Sequence, residues 1–264
     1  MTRTVLGKWL WDARRSLLGW SIALVVVGCG YAAFWPMIAD PELQGLLERY
    51  PRALLEAMNY TDIATAAGYL NATVYGMLVG ILLLVYAVSA GTRLIAGDEE
   101  AGTLDLILAH PVSRWSLALQ RFGAYVVSVA VITAALWLGM VAVRGPAQLE
   151  GITVAGLTAM HVHVLGFATL FGALAFAVGA VTGRRALALA VGAGVAVLAY
   201  AAMGLLPQVD GLEWVRDYSP FTWMNGSKPL QSGIDLTHLG LMLGLTGVLV
   251  GLGTWAFTRR DIAA

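Results

Sequence analysis

Charge is scarce in this sequence. Asp, Glu, Lys and Arg make up 12% of it and cancel to a formal net charge of +0, where a soluble domain carries about 25% charged residues. Such a balance excludes a nucleic-acid partner held by bulk charge. Cysteine is nearly absent as well. Cys29 is alone and stands inside an apolar run, so no intrachain disulfide can form. There is no G-x-x-x-x-G-K-[ST] phosphate loop, which excludes nucleotide binding of the usual P-loop kind. The one Gly-Lys pair, Gly7-Lys8, is followed by Trp9 where that loop needs a hydroxyl. No low-complexity tract and no repeat of fixed period occurs. The apolar runs are continuous instead of alternating with period two, which excludes β-barrel spans.

What is present in excess is apolar surface: 59% of residues are hydrophobic and the mean hydropathy is +0.75. Surface in that amount has to face lipid. A crossing helix needs about 20 mostly apolar residues, and windows of that kind fall near 17–38, 70–96, 118–143, 157–182, 186–206 and 236–257. The fold class is therefore all-α, a polytopic membrane protein of about six transmembrane helices forming a single domain over 1–264. Basic Arg3, Lys8, Arg14 and Arg15 precede the first run as in a signal peptide. That run is too long for a signal core and ends in no A-x-A-like site, so it is expected to be retained.

Lys and Arg in the connections set orientation. With the N-terminus inside, eleven of them lie on the inner side and five on the outer. Both termini are therefore expected in the cytoplasm, with the chain as a multi-pass protein of the plasma membrane.

Three connections promise more than turns. Residues 1–16 mix Val5, Leu6, Trp9 and Leu10 with basic residues and fit an interfacial amphipathic helix. Segment 40–69 carries helical spacing at Leu43, Leu46 and Leu47 and again at Leu54, Leu55 and Met58. Pro51 divides it, which predicts two short helices. Segment 207–235 has Trp214, Tyr218, Phe221 and Trp223 with Pro220 and Pro229. Its composition suits the outer interface or a partly re-entrant element.

The connection between the second and third spans, GDEEAGTLDLILAHPVSRWSLALQR over 97–121, is the most informative stretch. Acidic Asp98, Glu99 and Glu100 precede a run in which Leu104, Ile107 and Leu108 share one helical face, and negative charge suits a helix start. Pro111 stops that helix. Ser113 or Ser116 can cap the next, which leads into the third span. The spacing predicts a short rigid helix over 100–109 joined by a fixed bend to a membrane helix, a geometry able to transmit a push.

In these residues the chain resembles the permease subunits of type-2 ABC exporters. Their first cytoplasmic loop reads as an acidic residue, Gly-Thr-Leu, another acidic residue, a leucine-rich turn and Pro-Val-Ser-Arg. Here those positions are Glu100, Gly102, Thr103, Leu104, Asp105, Leu106, Leu108, Pro111, Val112, Ser113 and Arg114, with Arg121 as the usual basic residue before the third span. YSPFTWMNGSKPLQSG, from Tyr218 to Gly233, and the exit FTRRDI, from Phe257 to Ile262, are weaker likenesses of the same kind.

The resemblance implies an export function without an enzyme activity in this chain: no catalytic, cofactor-binding or metal-binding residue. ATP and Mg would sit on a separate ATP-binding subunit in two copies. A second permease chain, a copy of this one in the simplest case or else a related chain, would complete the pair, with membrane lipid around it. Segment 97–117 would couple the two subunit types through Glu99, Glu100, Gly102, Thr103, Leu104, Asp105, Leu106, Leu108, Pro111 and Arg114. The transported substrate is not legible.

Ionisable groups within spans are functional candidates by default. His161 and His163 point about 200° apart on a helix and cannot share a metal ion, so packing is the expected role, as it is for His238. Arg93 ends the second span, where it can snorkel or pair with the acidic residues after it. Gly240, Gly244, Gly247 and Gly251 in the last span, and Gly179 with Gly183 in the fourth, sit at spacings that allow close helix packing, expected within the chain more than between chains. Two other classes compete. An intramembrane protease needs catalytic pairs at membrane depth, which these spans lack. The other is a secondary transporter or a structural membrane protein without an ATPase partner; the former needs buried carboxylates, and no Asp or Glu falls within the six windows.

Overall fold

A computed structural model describes residues 4–42, 45 and 62–261. Among these there is no strand, and six helices are long and apolar enough to cross a membrane. In chain order the elements are α1 (Val5–Ala33, prolonged by the turn Trp35–Ile38), α2 (Ala66–Arg93), α3 (Ala96–Glu100), α4 (Leu104–Leu108), α5 (Arg114–Val143), α6 (Val154–Thr182), α7 (Arg185–Gly204), α8 (Pro220–Asn225), α9 (Pro229–Ser232) and α10 (Leu236–Arg259). The two short helices expected over 40–69 fall largely outside the described residues.

The starts follow the capping rules. Ser113 Oγ accepts from the Ser116 N–H at 3.2 Å, and Thr153 Oγ1 accepts from the Gly156 N–H at 2.9 Å. Asp235 accepts from the Thr237 and His238 N–H groups at 2.9 and 3.1 Å. Each satisfies helix-start donors that have no partner along the helix. The amphipathic helix expected over 1–16 is not a separate element: α1 runs unbroken from Val5. Nothing between Trp11 and Leu17 breaks it, since no Pro or Gly intervenes. Val5 and Trp9 pack on the core instead of lying apart.

Helix α6 is the hub. Of its most apolar window 78% is buried, against 17% for α1 and 22% for α10, and it touches α2, α5, α7 and α10. Small residues make this possible, because apolar side chains gain little from one another in lipid and close backbone approach supplies the contact. A Cβ on Gly91 of α2 would stand 2.5 Å from the Gly172 carbonyl oxygen, and one on Gly253 of α10 would stand 2.8 Å from the Ala177 Cα. Gly172 itself lies under the ring of Tyr125, whose hydroxyl donates to the Ala168 carbonyl at 2.6 Å.

The glycines expected to pack α10 are elsewhere on its surface. A Cβ at Gly240, Gly244, Gly247 or Gly251 would meet nothing within 4 Å, and Leu241, Leu245, Val248 and Leu252 beside them are exposed. Within the chain this face is unpacked, because α10 turns Met242, Thr246, Val250, Gly253 and Phe257 inward.

The far end from the termini is closed by residues 206–235. Trp214 and Tyr218 stay exposed, whereas Phe221 inserts between Phe167 and Tyr200, with ring centroids at 4.8 and 5.3 Å. Ser219 fixes the entry: its hydroxyl donates to the Ala199 carbonyl at 2.6 Å and accepts from the Phe221 N–H at 3.2 Å. The segment thus packs Phe221 into the bundle and leaves Trp214 and Tyr218 outside it. His163 pins it, with Nδ1 at 3.0 Å from the Trp223 carbonyl and Nε2 accepting from the Asp235 N–H at 3.1 Å. That pair of contacts assigns the neutral Nδ1–H form. His161 engages Leu157 of its own helix at 2.7 Å and stands edge-on to Tyr75, so the two histidines serve separate packing contacts.

Within α2, residues Leu70–Val79 form a π-helical stretch, and Asn71 and Asn225 exchange amide-to-carbonyl bonds beside it at 3.5 and 3.1 Å. The bond from α8 holds the widened turn against the closing segment.

Candidate functional site

At the end of the bundle that carries both described termini, the segment after α2 folds as two one-turn helices instead of the single helix expected over 100–109. Gly102 explains the break. It adopts φ +64, a left-handed conformation that glycine takes without penalty. The Thr103 N–H then turns back to the Asp98 carbonyl at 2.9 Å. The acidic triad therefore lies in α3, and Asp105 alone provides negative charge in the first turn of α4.

This division sorts the residues into two sets. Leu104 is buried at 1% exposure, with Ile107 and Leu108 packed beside it, so the shared apolar face read from the spacing is the inward one. Gly102, Thr103, Asp105 and Pro111 are exposed, and Leu106 stands out at 69%. It is the one leucine of α4 that turns outward, since Leu104 is buried and Leu108 packs on the core.

The acidic residues point the other way. Glu99, with 7% of its side chain exposed, receives both terminal nitrogens of Arg260, one at 2.7 Å. Asp98 pairs with Arg121, which is buried and also donates to the Leu94 carbonyl at 2.7 Å. Glu100 accepts from the Arg185 N–H at 2.7 Å, at the start of α7. Arg114 donates to the Arg260 carbonyl at 2.6 Å and to the Phe257 carbonyl at 3.4 Å. Arg93 is exposed and takes no part, so the pairing expected from it goes to Arg121 and Arg260.

The chemistry is that of helix ends. The carbonyls of Leu94, Phe257 and Arg260 are the unpaired last groups of α2 and α10, and a guanidinium satisfies each. The Glu100 carboxylate does the same for a first N–H of α7 and suits the positive end of its dipole. Glu99, Glu100 and Arg114 thus lock the loop to the bundle, while Gly102, Thr103, Asp105, Leu106 and Pro111 offer it outward. Arg121 was legible only as a basic residue before the third span, and Arg260 only as part of an exit sequence. Their partners lie 23 and 161 residues away in sequence, and spacing carries no signal over such distances.

Gly183 completes the lock. It ends α6 at φ +68, and a Cβ there would stand 2.5 Å from Glu99 Oε1 and 2.6 Å from an Arg260 nitrogen. A Gly183→Ala variant therefore meets both backbone strain and a displaced ion pair. It is expected to lower the unfolding free energy by about 1–3 kcal/mol, read as an earlier thermal transition of the purified chain.

Among curated proteins none matches the chain. The family model for the ABC-2 family transporter protein matches residues 3–262, nearly the whole length and all six crossing helices. The chain belongs to the ABC-2 transporter family and is a multi-pass membrane component of ABC transport.

Proposed function

We propose that this chain is the transmembrane subunit of an ATP-driven exporter, and that a separate ATP-binding subunit docks on the exposed side of α4. The observation that carries the reading is the exposed Leu106, set on a one-turn helix whose base is locked by the Glu99–Arg260 and Asp98–Arg121 pairs. A docking knob on a rigid mount is what force transmission requires. The end that bears it also gathers Arg14, Arg15, Arg114, Arg121, Arg184, Arg185, Arg259 and Arg260, which under the positive-inside rule is the cytoplasmic side.

On this reading two such chains pair in the plasma membrane with two ATP-binding subunits, which hold the ATP and Mg. Closure of the ATPases pulls on α4 and rotates the permease halves as rigid bodies, opening a path between them. The permease supplies shape and an apolar route, and the ATPase supplies the chemistry. A secondary transporter is disfavoured because the six apolar windows hold no carboxylate for ion coupling.

The test is affinity purification of the full chain from its native membranes. A P-loop polypeptide should co-purify in equal proportion, with ATP hydrolysis in the eluate. A chain that is stable, folded and always free of such a subunit contradicts the proposal.

A further inference from the structure

The family match says nothing of how movement at the loop reaches particular spans. Four helix ends meet at the acidic segment α3, each held by a named contact. Arg121 ties α3 to the start of α5 through Asp98 and to the end of α2 through the Leu94 carbonyl. Arg260 ties it to the end of α10 through Glu99. Glu100 ties it to the first turn of α7. Arg114 adds a direct link from α5 to α10 through the Arg260 carbonyl. No bond of this kind joins α1 to the set among the described residues.

In the Glu99–Arg260 pair the carboxylate is the covered member, as the guanidinium is in Asp98–Arg121. Glu99 is almost wholly covered and both its oxygens are engaged by one guanidinium. A buried carboxylate without its partner carries an uncompensated charge. Arg260 therefore holds α10 and the loop in one register, and the pair is either made whole or the segment opens.

We propose that Arg260 is a positioning residue, which through Glu99 binds the end of α10 to α3 and α4 so that the loop, the start of α7 and the end of α10 move as one body. It acts on no ligand. Its work is to pass displacement of α4 to the last span as well as to α5, which follows α4 directly in the chain. The directional part of this inference rests on the docking reading above, whereas the existence of the lock does not.

The experiment therefore has two arms. The first uses the purified full chain alone and follows amide hydrogen exchange across 96–108 and 254–260. Arg260→Gln should speed exchange in both segments together, on the order of a hundredfold, the fold-change that corresponds to losing one buried pair. The charge swap Glu99→Arg with Arg260→Glu should recover most of the protection. Unchanged exchange in Arg260→Gln overturns the lock, and so does a swap no better protected than the single variant.

The second arm uses the complex with its co-purified ATPase and spin labels at positions 109 and 259, in a Cys29→Ser background. The 109–259 distance should stay constant between the nucleotide-free and the ATP–vanadate states, and should broaden on nucleotide only when Arg260→Gln is added. A wild-type distance that shifts with nucleotide contradicts movement as one body. A lock confirmed in the first arm, in a chain that never brings down an ATPase, sinks the docking reading and leaves the lock standing.

Discussion

A Leu106→Glu variant is expected to insert and fold normally and to lose the ATP-binding subunit proposed to dock on α4. The side chain is largely exposed and touches no part of the lock, so the change leaves the six-helix bundle alone. At a partner surface the effect is large. An anchor that fills a central pocket as a hot spot contributes about 2 kcal/mol to association, roughly thirtyfold in affinity. A carboxylate in its place adds the cost of burying an unpaired charge. The expected outcome is unchanged thermal stability of the purified chain together with near-complete loss of co-purified ATPase. Asp105→Asn, next to it and exposed, should weaken binding far less, because rim charges contribute little beside a central anchor. Equal ATPase recovery from Leu106→Glu and from the unaltered chain would mean that α4 faces solvent or lipid in the working assembly.

The second large effect is expected in the hub. Gly172→Val places a branched side chain where the Tyr125 ring already lies, and Tyr125 is fully buried with its hydroxyl committed to Ala168. Neither side can give way easily, since the backbone of Gly172 is also in close approach to Gly91. Overpacking of a filled core costs about 1–3 kcal/mol for the addition of a few methylene groups, and displacing Tyr125 adds the loss of its hydrogen bond. The variant should fail to give monodisperse protein, or should unfold many degrees earlier. Gly240→Ala provides the contrast. Nothing stands within 4 Å of its Cβ, and alanine is favoured over glycine inside a helix by about 1 kcal/mol. That variant should be as stable as the unaltered chain or more so.

The contrast between those two glycines shows where the sequence is and is not legible. Six spans can be read because each is a continuous apolar run bounded by polar or capping residues, and Ser113, Thr153 and Asp235 cap their helices in the structure. Spacing alone ranked Gly240, Gly244, Gly247 and Gly251 as packing residues. Periodicity identifies a stripe, but it does not say which stripe of an all-apolar helix turns inward. The packed glycines, Gly91, Gly172 and Gly253, stand in no such regular series. They are distinguished only by what another helix brings against them.

The loop divides in the same way. The apolar face of Leu104, Ile107 and Leu108 could be read because it depends on local period. The turn at Gly102 could not, since a single glycine inside a helical pattern is compatible with continuation or with a left-handed break. Asp98, Glu99 and Glu100 suggested a helix start because local rules reward negative charge there. Asp98 and Glu99 do stand in the first turn of a helix, but it is α3 and not the helix over 100–109, and Arg121, Arg260 and the first turn of α7 engage all three carboxylates, which no local rule foretells. Likewise the basic residues at 8–15 suggested an interfacial helix, yet α1 is continuous because no breaker separates them from the span.

On the proposed reading the outward side of α4, and not the acidic segment before it, meets a separate ATPase. Photo-cross-linking measures this directly. A benzophenone amino acid is placed at position 106 in one full-length chain and at position 104, which is buried, in another. Both are irradiated in native membranes, and the adducts are identified by mass. Position 106 should capture a P-loop ATPase and position 104 should yield only intrachain products. Adducts to lipid alone at position 106, in membranes where the protein is folded and abundant, would contradict the account.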